Sequence, residues 1–214
     1  MIFGGATTDV YSIAKGDPTK SNVALRGLPE PFAKRTVEGD LGMRYSAGAL
    51  LKAAGANVIA GYAGITEEEV TQYVNKVAQE IEYLPKTEIE EKAEIAMGRA
   101  CTGVSADRHV GQLETVYTLY GPAFVQVGKD LTAVKTVVGT GGVIISNPKP
   151  EEILKGIMFD HSVPHILKPQ EPEYMIDNEY ILASMGLLGG EYPDLAVRLM
   201  KKYIVGGNNS GIKK

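Results

Sequence analysis

Two glycine-rich stretches of the chain have the residue types that hold phosphate. The first is Gly4-Gly5-Ala6-Thr7-Thr8-Asp9, near the start of the sequence. Glycines lack a Cβ and let backbone N–H groups approach an anion closely, and threonine hydroxyls add further donors. The second is Val137-Val138-Gly139-Thr140-Gly141-Gly142-Val143-Ile144, a strand-like run that ends in a three-glycine turn. No Gly-Lys-Ser/Thr follows it, and the dinucleotide spacing is absent as well. Each stretch has a plainer reading, a hairpin turn for the first and close backbone packing for the second. Two phosphate-compatible turns in one α/β chain predict two sides of a single cleft.

A second group of residues could serve such a cleft. Asp9, Glu38, Asp40 and Arg44 would form a polar cluster, with the carboxylates serving metal-bound water and the arginine a phosphate. A structural salt bridge is the alternative. Arg108-His109, at an expected helix start, offers an acid/base pair, or else a solvated or paired arginine and a capping or packed histidine. His161 and His165 are four apart, but Pro164 between them breaks the helix that a shared metal would need, and no metal site is expected. Glu67-Glu68-Glu69 suits a helix N-terminus without any ligand. Cys101 has no base beside it in sequence and reads as a buried structural thiol.

These residues must be positioned by a chain of 214 residues, enough for one substantial domain with a buried core. A net charge of −4 and no basic stripe argue against nucleic acid as a partner. A single cysteine excludes a disulfide framework and points to a reducing, cytoplasmic setting. No apolar run approaches the roughly 20 residues that span a bilayer, so no membrane partner is expected.

Alternating polarity predicts a strand over 9–14, broken at Lys15-Gly16-Asp17-Pro18, and an extended connection over 21–36. A small-residue helix is predicted through Ser46, Ala47, Ala49, Leu50 and Leu51. Thr66 and Glu69 have capping-box spacing, followed by Val70, Tyr73, Val74, Val77 and Ile81 at helical intervals. Further helices are predicted at 88–100, 107–120, 151–158, 179–188 and 193–203. Strands are predicted at 123–127 and 136–138. The fold expected is α/β with a mainly helical insertion at about 65–121 and a flexible tail at about 205–214.

The residues also resemble a known family. The opening hairpin resembles the second phosphate-binding hairpin of the MutL family that accompanies cobalamin-dependent glutamate mutase, which is unrelated to the mismatch-repair protein of that name. That family belongs to the actin, Hsp70 and sugar-kinase superfamily, with its ribonuclease H-like fold. Lys34-Arg35-Thr36-Val37-Glu38-Gly39-Asp40-Leu41-Gly42-Met43-Arg44 resembles the family's next segment, and Arg108-His109-Val110-Gly111 its Arg-His-x-Gly motif. Val138-Gly139-Thr140-Gly141-Gly142 resembles its adenosine motif, and Tyr180-Ile181-Leu182-Ala183-Ser184-Met185-Gly186-Leu187-Leu188 its closing helix.

The resemblance implies a single C-terminal nucleotide-binding lobe of an actin-like ATPase over 1–214. Gly4, Gly5, Ala6, Thr7 and Thr8 would face the phosphates and Mg2+ of ATP, and Gly139, Thr140, Gly141 and Gly142 the adenosine side. The implied role is that of an accessory factor reactivating a cobalamin-dependent mutase. The implied partners are that mutase, a separately encoded N-terminal lobe and a second copy of the chain. Where the family's hairpin has an aspartate two residues before the first glycine, this chain has Ile2. The alternative is therefore a binding or assembly module that has lost catalysis; a small-molecule kinase is a third reading.

Overall fold

The computed structural model describes residues 1–119 and 121–206. The chain opens with strands β1 (Ile2–Phe3), β2 (Thr8–Ile13), β3 (Val23–Leu25) and β4 (Ala33–Glu38). A helical block follows, made of α1 (Ala47–Ala54), α2 (Ala56–Ala63), α3 (Glu67–Gln79) and α4 (Glu88–His109). Next come β5 (Gln112–Thr118), β6 (Gly121–Val127), β7 (Thr136–Gly139), α5 (Gly142–Ile145) and α6 (Pro150–Leu154). The described residues close with β8 (Glu173–Asp177), α7 (Leu182–Leu188), α8 (Pro193–Tyr203) and β9 (Ile204–Gly206).

The central layer is a mixed sheet. β2 pairs antiparallel with both β1 and β4, and β7 pairs parallel with β8. The two halves meet at a parallel bridge between Ile2 and Thr140. Phe3 N–H donates to Thr140 O at 3.1 Å, and Thr140 N–H to Met1 O at 3.0 Å. β1, β7 and β8 therefore run parallel side by side, and the strand order across the layer is β4-β2-β1-β7-β8-β9. The period-two pattern of β2 turns Thr8, Val10 and Ser12 inward, all buried. α4 covers that face, with Ala93, Ala96, Met97, Ala100, Cys101 and Ala106 in the core. Small side chains on this helix let it lie close to the sheet and to α2 and α6.

The helix starts are dictated locally. Thr66 caps α3 and Thr87 caps α4, each in a reciprocal box with the glutamate three residues on, Glu69 and Glu90. Each box contributes about 1 kcal/mol. Pro150 and Pro193 occupy the first turns of α6 and α8, where a missing N–H costs nothing.

Two expectations need correction. The helical block runs over 47–109, earlier than the predicted 65–121, and the helix predicted at 107–120 does not form. Arg108 and His109 end a helix instead of starting one. Gln112-Leu113-Glu114-Thr115-Val116-Tyr117-Thr118 does not alternate in polarity but is rich in β-branched and aromatic residues, and it pairs antiparallel with β6 over its whole length. Tertiary pairing there overrides a helical reading that rested on short-range spacing. The tail expected at 205–214 begins as β9, and the rest of it lies outside the described residues.

No helix among the described residues is long and apolar enough to cross a membrane.

Candidate functional site

The connections leaving β1, β7 and β8 at their carboxyl ends all reach one rim of the sheet. The β1–β2 turn carries Gly4 and Gly5, the β7–α5 turn carries Gly141 and Gly142, and the β8–α7 connection carries Tyr180. A cavity of about 560 Å³ opens there, and its lining includes Gly4, Gly5, Gly142 and Tyr180. Open α/β sheets bind ligands outside the carboxyl ends of their strands, where loops diverge and backbone N–H groups are free. The remaining walls come from Arg44, from Leu84 and Pro85 before α4, from Glu91, Glu94 and Ile95 on α4, and from Val143 and 145–148.

The first glycine turn is held from below. Gly4 N–H donates to Thr7 O at 2.9 Å, closing the hairpin. Met43 N–H donates to Gly4 O at 3.1 Å, Arg44 N–H to Gly5 O at 2.8 Å, and Ser46 Oγ–H to Ala6 O at 2.6 Å. The carbonyls of the turn are thus consumed by the 43–46 segment. Among the described residues, the N–H groups of Gly5, Ala6 and Thr7 have no backbone acceptor. A turn with satisfied carbonyls and free N–H groups favours an anion. Gly42 makes this docking feasible, because a Cβ there would stand 2.5 Å from Ala6 C and 2.6 Å from both Ala6 O and Gly5 O.

The predicted binding residues divide between lining and support. Gly4, Gly5 and Gly142 line the cavity, and Ala6 sits exposed at the turn tip with Thr7 half-buried beside it. Thr8 does not face the cavity, contrary to expectation. Its inward position in β2 buries it fully, with Oγ1 3.1 Å from Cys101 Sγ. Gly139, Thr140 and Gly141 are also not in the lining, because the sheet takes them up. A Cβ on Gly139 would stand 2.8 Å from Leu154 Cδ2, and Thr140 is buried and donates its hydroxyl to Asp177 O at 3.0 Å. Gly141, at φ +110°, lies so near β1 that a Cβ would be 2.2 Å from Phe3 O. Only Gly142, with open space at its Cβ position, faces the ligand side.

The expected polar cluster of Asp9, Glu38, Asp40 and Arg44 is resolved into separate pairs. Asp9, on the outer face of β2, accepts from Arg35 at 2.7 Å. Glu38 and Asp40 bracket Arg108 at 2.7 and 2.6 Å, and that guanidinium holds the Asp40 carboxyl below the usual range. Arg44 reaches Glu94 at 2.8 Å, and Tyr73 donates to the same carboxylate at 2.7 Å. Burial and the adjacent Glu94 charge push the Tyr73 hydroxyl well above its ordinary pKa. Of the four, only Glu38 and Asp40 share a partner, while Asp9 and Arg44 each pair elsewhere.

Cys101 is buried as expected, and desolvation raises its thiol pKa to about 11. His109 is buried between Ser12 Oγ, 2.9 Å from Nε2, and Thr36 Oγ1, 2.8 Å from Nδ1. Burial, reinforced by Lys34 and Lys129, lowers its pKa to about 4. It is a packed neutral histidine on the far side of α4's end. No group of three or more His, Cys, Asp or Glu side chains able to hold a metal occurs among the described residues. Sequence reasoning missed Leu84, Pro85, Glu91, Asn147 and Tyr180 as cavity residues. Their sequence separation from the glycine turns leaves no spacing signal, although Tyr180 opens one of the family-like motifs.

Comparison with known proteins places the chain among relatives. The family model described as MutL protein matches residues 2–204. A protein of Clostridium tetanomorphum named Protein MutL is 52% identical over 202 residues, which cover 94% of this chain and 44% of that relative. The chain thus spans less than half the length of the relative it matches. No solved structure matches it.

Proposed function

The chain belongs to the MutL family, and from that premise we propose that it is a nucleotide-binding lobe of an ATP-dependent accessory factor that reactivates a cobalamin-dependent glutamate mutase. The proposed architecture is the actin-like, ribonuclease H-like one, with the block over 47–109 as its helical insertion. The carrying observation is the convergence of Gly4, Gly5 and Gly142 on one cavity at the carboxyl ends of adjacent parallel strands. The free N–H groups of Gly5, Ala6 and Thr7 fit the phosphates of ATP, and the open face at Gly142 fits its nucleoside part.

ATP with Mg2+ supplies a transferable phosphoryl group and the energy of its hydrolysis when bound. The residues of the chain hold and orient. The 43–46 segment fixes the phosphate-facing turn, and the Arg44–Glu94–Tyr73 network stiffens one wall. Carboxylates near the turn are committed elsewhere, Asp9 to Arg35 and Glu38 with Asp40 to Arg108. Ile2 does not line the glycine cavity and instead lines a second, apolar one with Met1, Val10 and Ile13. Glu91 on α4 is the cavity carboxylate outside these pairs, and the turn itself, with Ile2 before it, supplies no group to activate water, which favours a binding and assembly role over hydrolysis by this chain.

Calorimetric titration of the folded chain with Mg-ATP tests the reading. Saturable binding with slow turnover is the expected result. No heat of binding from a chain with native circular dichroism would overturn the nucleotide assignment, and rapid turnover would overturn the preference for binding over hydrolysis.

A further inference from the structure

Tyr180 is the one non-glycine residue with positive φ among the described residues, at φ +53°. A bulky side chain in the left-handed region is strained, and such strain persists only where surrounding contacts impose it. Here the imposing group is Asp177, buried at the end of β8. Its carboxylate accepts from Ile181 N–H at 3.0 Å and from Leu182 N–H at 3.1 Å, pulling the following backbone into a tight return. The same residue's carbonyl accepts the Thr140 hydroxyl, which ties the Tyr180 connection to the second glycine turn. This bracing sets the backbone of Tyr180, a residue that is more than half exposed yet lines the 560 Å³ cavity together with Gly142, Asn147 and Pro148.

An exposed aromatic residue whose backbone is braced at a cavity wall by a buried carboxylate offers a surface for a planar ring. The other cavity residues support this use. Leu84, Pro85, Ile95 and Val143 give apolar lining, while the free N–H groups lie at the Gly4–Thr7 turn. The cavity therefore has an anion-favouring end and an aromatic, apolar part. We propose that Tyr180 is the base platform of the site, stacking on the purine ring of a bound nucleotide whose phosphates face the Gly4–Thr7 turn. The inference rests on the nucleotide reading above and adds its specificity element: recognition of a ring by its face. Stacking is tolerant of the groups at the ring edge, so this contact would accept the base of either ATP or GTP.

The test compares the chain with Tyr180→Phe and Tyr180→Gly, titrated with Mg-ATP, Mg-GTP and Mg-tripolyphosphate. Glycine removes the ring while suiting the positive φ, and circular dichroism with thermal unfolding checks that the fold persists. The expected result is unchanged binding of all three by Tyr180→Phe. Tyr180→Gly should lose about tenfold or more in affinity for both nucleotides and nothing for tripolyphosphate. Nucleotide binding by Tyr180→Gly equal to that of the parent would overturn the assignment. So would an equal loss for tripolyphosphate, which would make Tyr180 a support of the turns. A parent chain that binds tripolyphosphate but neither nucleotide would overturn the base platform and leave the phosphate turn standing. One that binds none of the three would overturn the nucleotide reading itself.

Discussion

Replacing Gly42 by alanine should disconnect the phosphate-facing turn from its support. The added Cβ would stand 2.5 to 2.6 Å from Ala6 C, Ala6 O and Gly5 O, all backbone atoms that cannot rotate aside. Relief to ordinary contact requires the two segments to separate by about 1 Å. The Met43–Gly4 bond, 3.1 Å now, and the Arg44–Gly5 bond, 2.8 Å now, would then both be beyond hydrogen-bonding distance. Overpacking costs about 1–3 kcal/mol and each of the two lost backbone bonds about 1 kcal/mol, so a loss of about 3–5 kcal/mol is expected. For a chain of this size that lowers Tm by about 6–20 °C.

Gly48 provides the matched control. It lies inside α1, and its Cβ position meets nothing within 4 Å. Gly48→Ala should stabilise the chain by about 0.5–1 kcal/mol through helix propensity. Urea unfolding followed by circular dichroism measures both, with a constant m-value as the check on two-state behaviour. Mg-ATP affinity should fall in Gly42→Ala and hold in Gly48→Ala. Stability of Gly42→Ala within about 0.5 kcal/mol of the parent would refute the close docking of the 43–46 segment on the hairpin.

Acid sensitivity should trace to His109. Its folded pKa of about 4 lies below the 6.5 of an ordinary histidine, so the unfolded chain takes up the proton first. The stabilisation is complete above about pH 6.5 and is lost as pH falls towards 4, by about 3 kcal/mol in all. Urea midpoints measured from pH 7.5 to 4.5 should fall for the parent and flatten over that window in His109→Gln. Cys101, whose buried thiol has a pKa of about 11, should resist iodoacetamide at pH 8 in the native chain and react promptly in urea. Native labelling at the unfolded rate would contradict its placement under β2. Removing the Glu94 carboxylate leaves Arg44 and the Tyr73 hydroxyl without their shared partner in a largely buried setting. Glu94→Ala should cost about 3–5 kcal/mol, read from urea unfolding, and Glu94→Ala combined with Arg44→Met should recover part of the loss.

Much of this chain is legible without coordinates wherever the deciding physics is local. The Thr66–Glu69 box and the apolar spacing after it specify α3, because capping and amphipathic burial act within a few residues. Pro193 opens α8 for the same reason, and the β-branched runs at 123–127 and 136–138 form strands. The two glycine turns announce a shared cleft by composition, and Gly4 and Gly5 of the first and Gly142 of the second line one cavity. Strand 112–118 was not legible as such, since its state depends on pairing with β6 and its neighbours.

Sequence by itself also determined where glycine and threonine were available, but not what each would do. Gly141 and Gly142 are adjacent and identical in type, yet one is pressed against Phe3 and the other opens on the cavity. Thr8 looked like a phosphate donor until the pleat of β2 turned it towards Cys101. Arg108 found Glu38 and Asp40 across about seventy residues, and Tyr180 joined the cavity only because β8 lies parallel beside β7. Those assignments depend on which face of a strand is inward and which strands are neighbours. Such facts are set by burial and long-range pairing, and so belong to the tertiary structure alone.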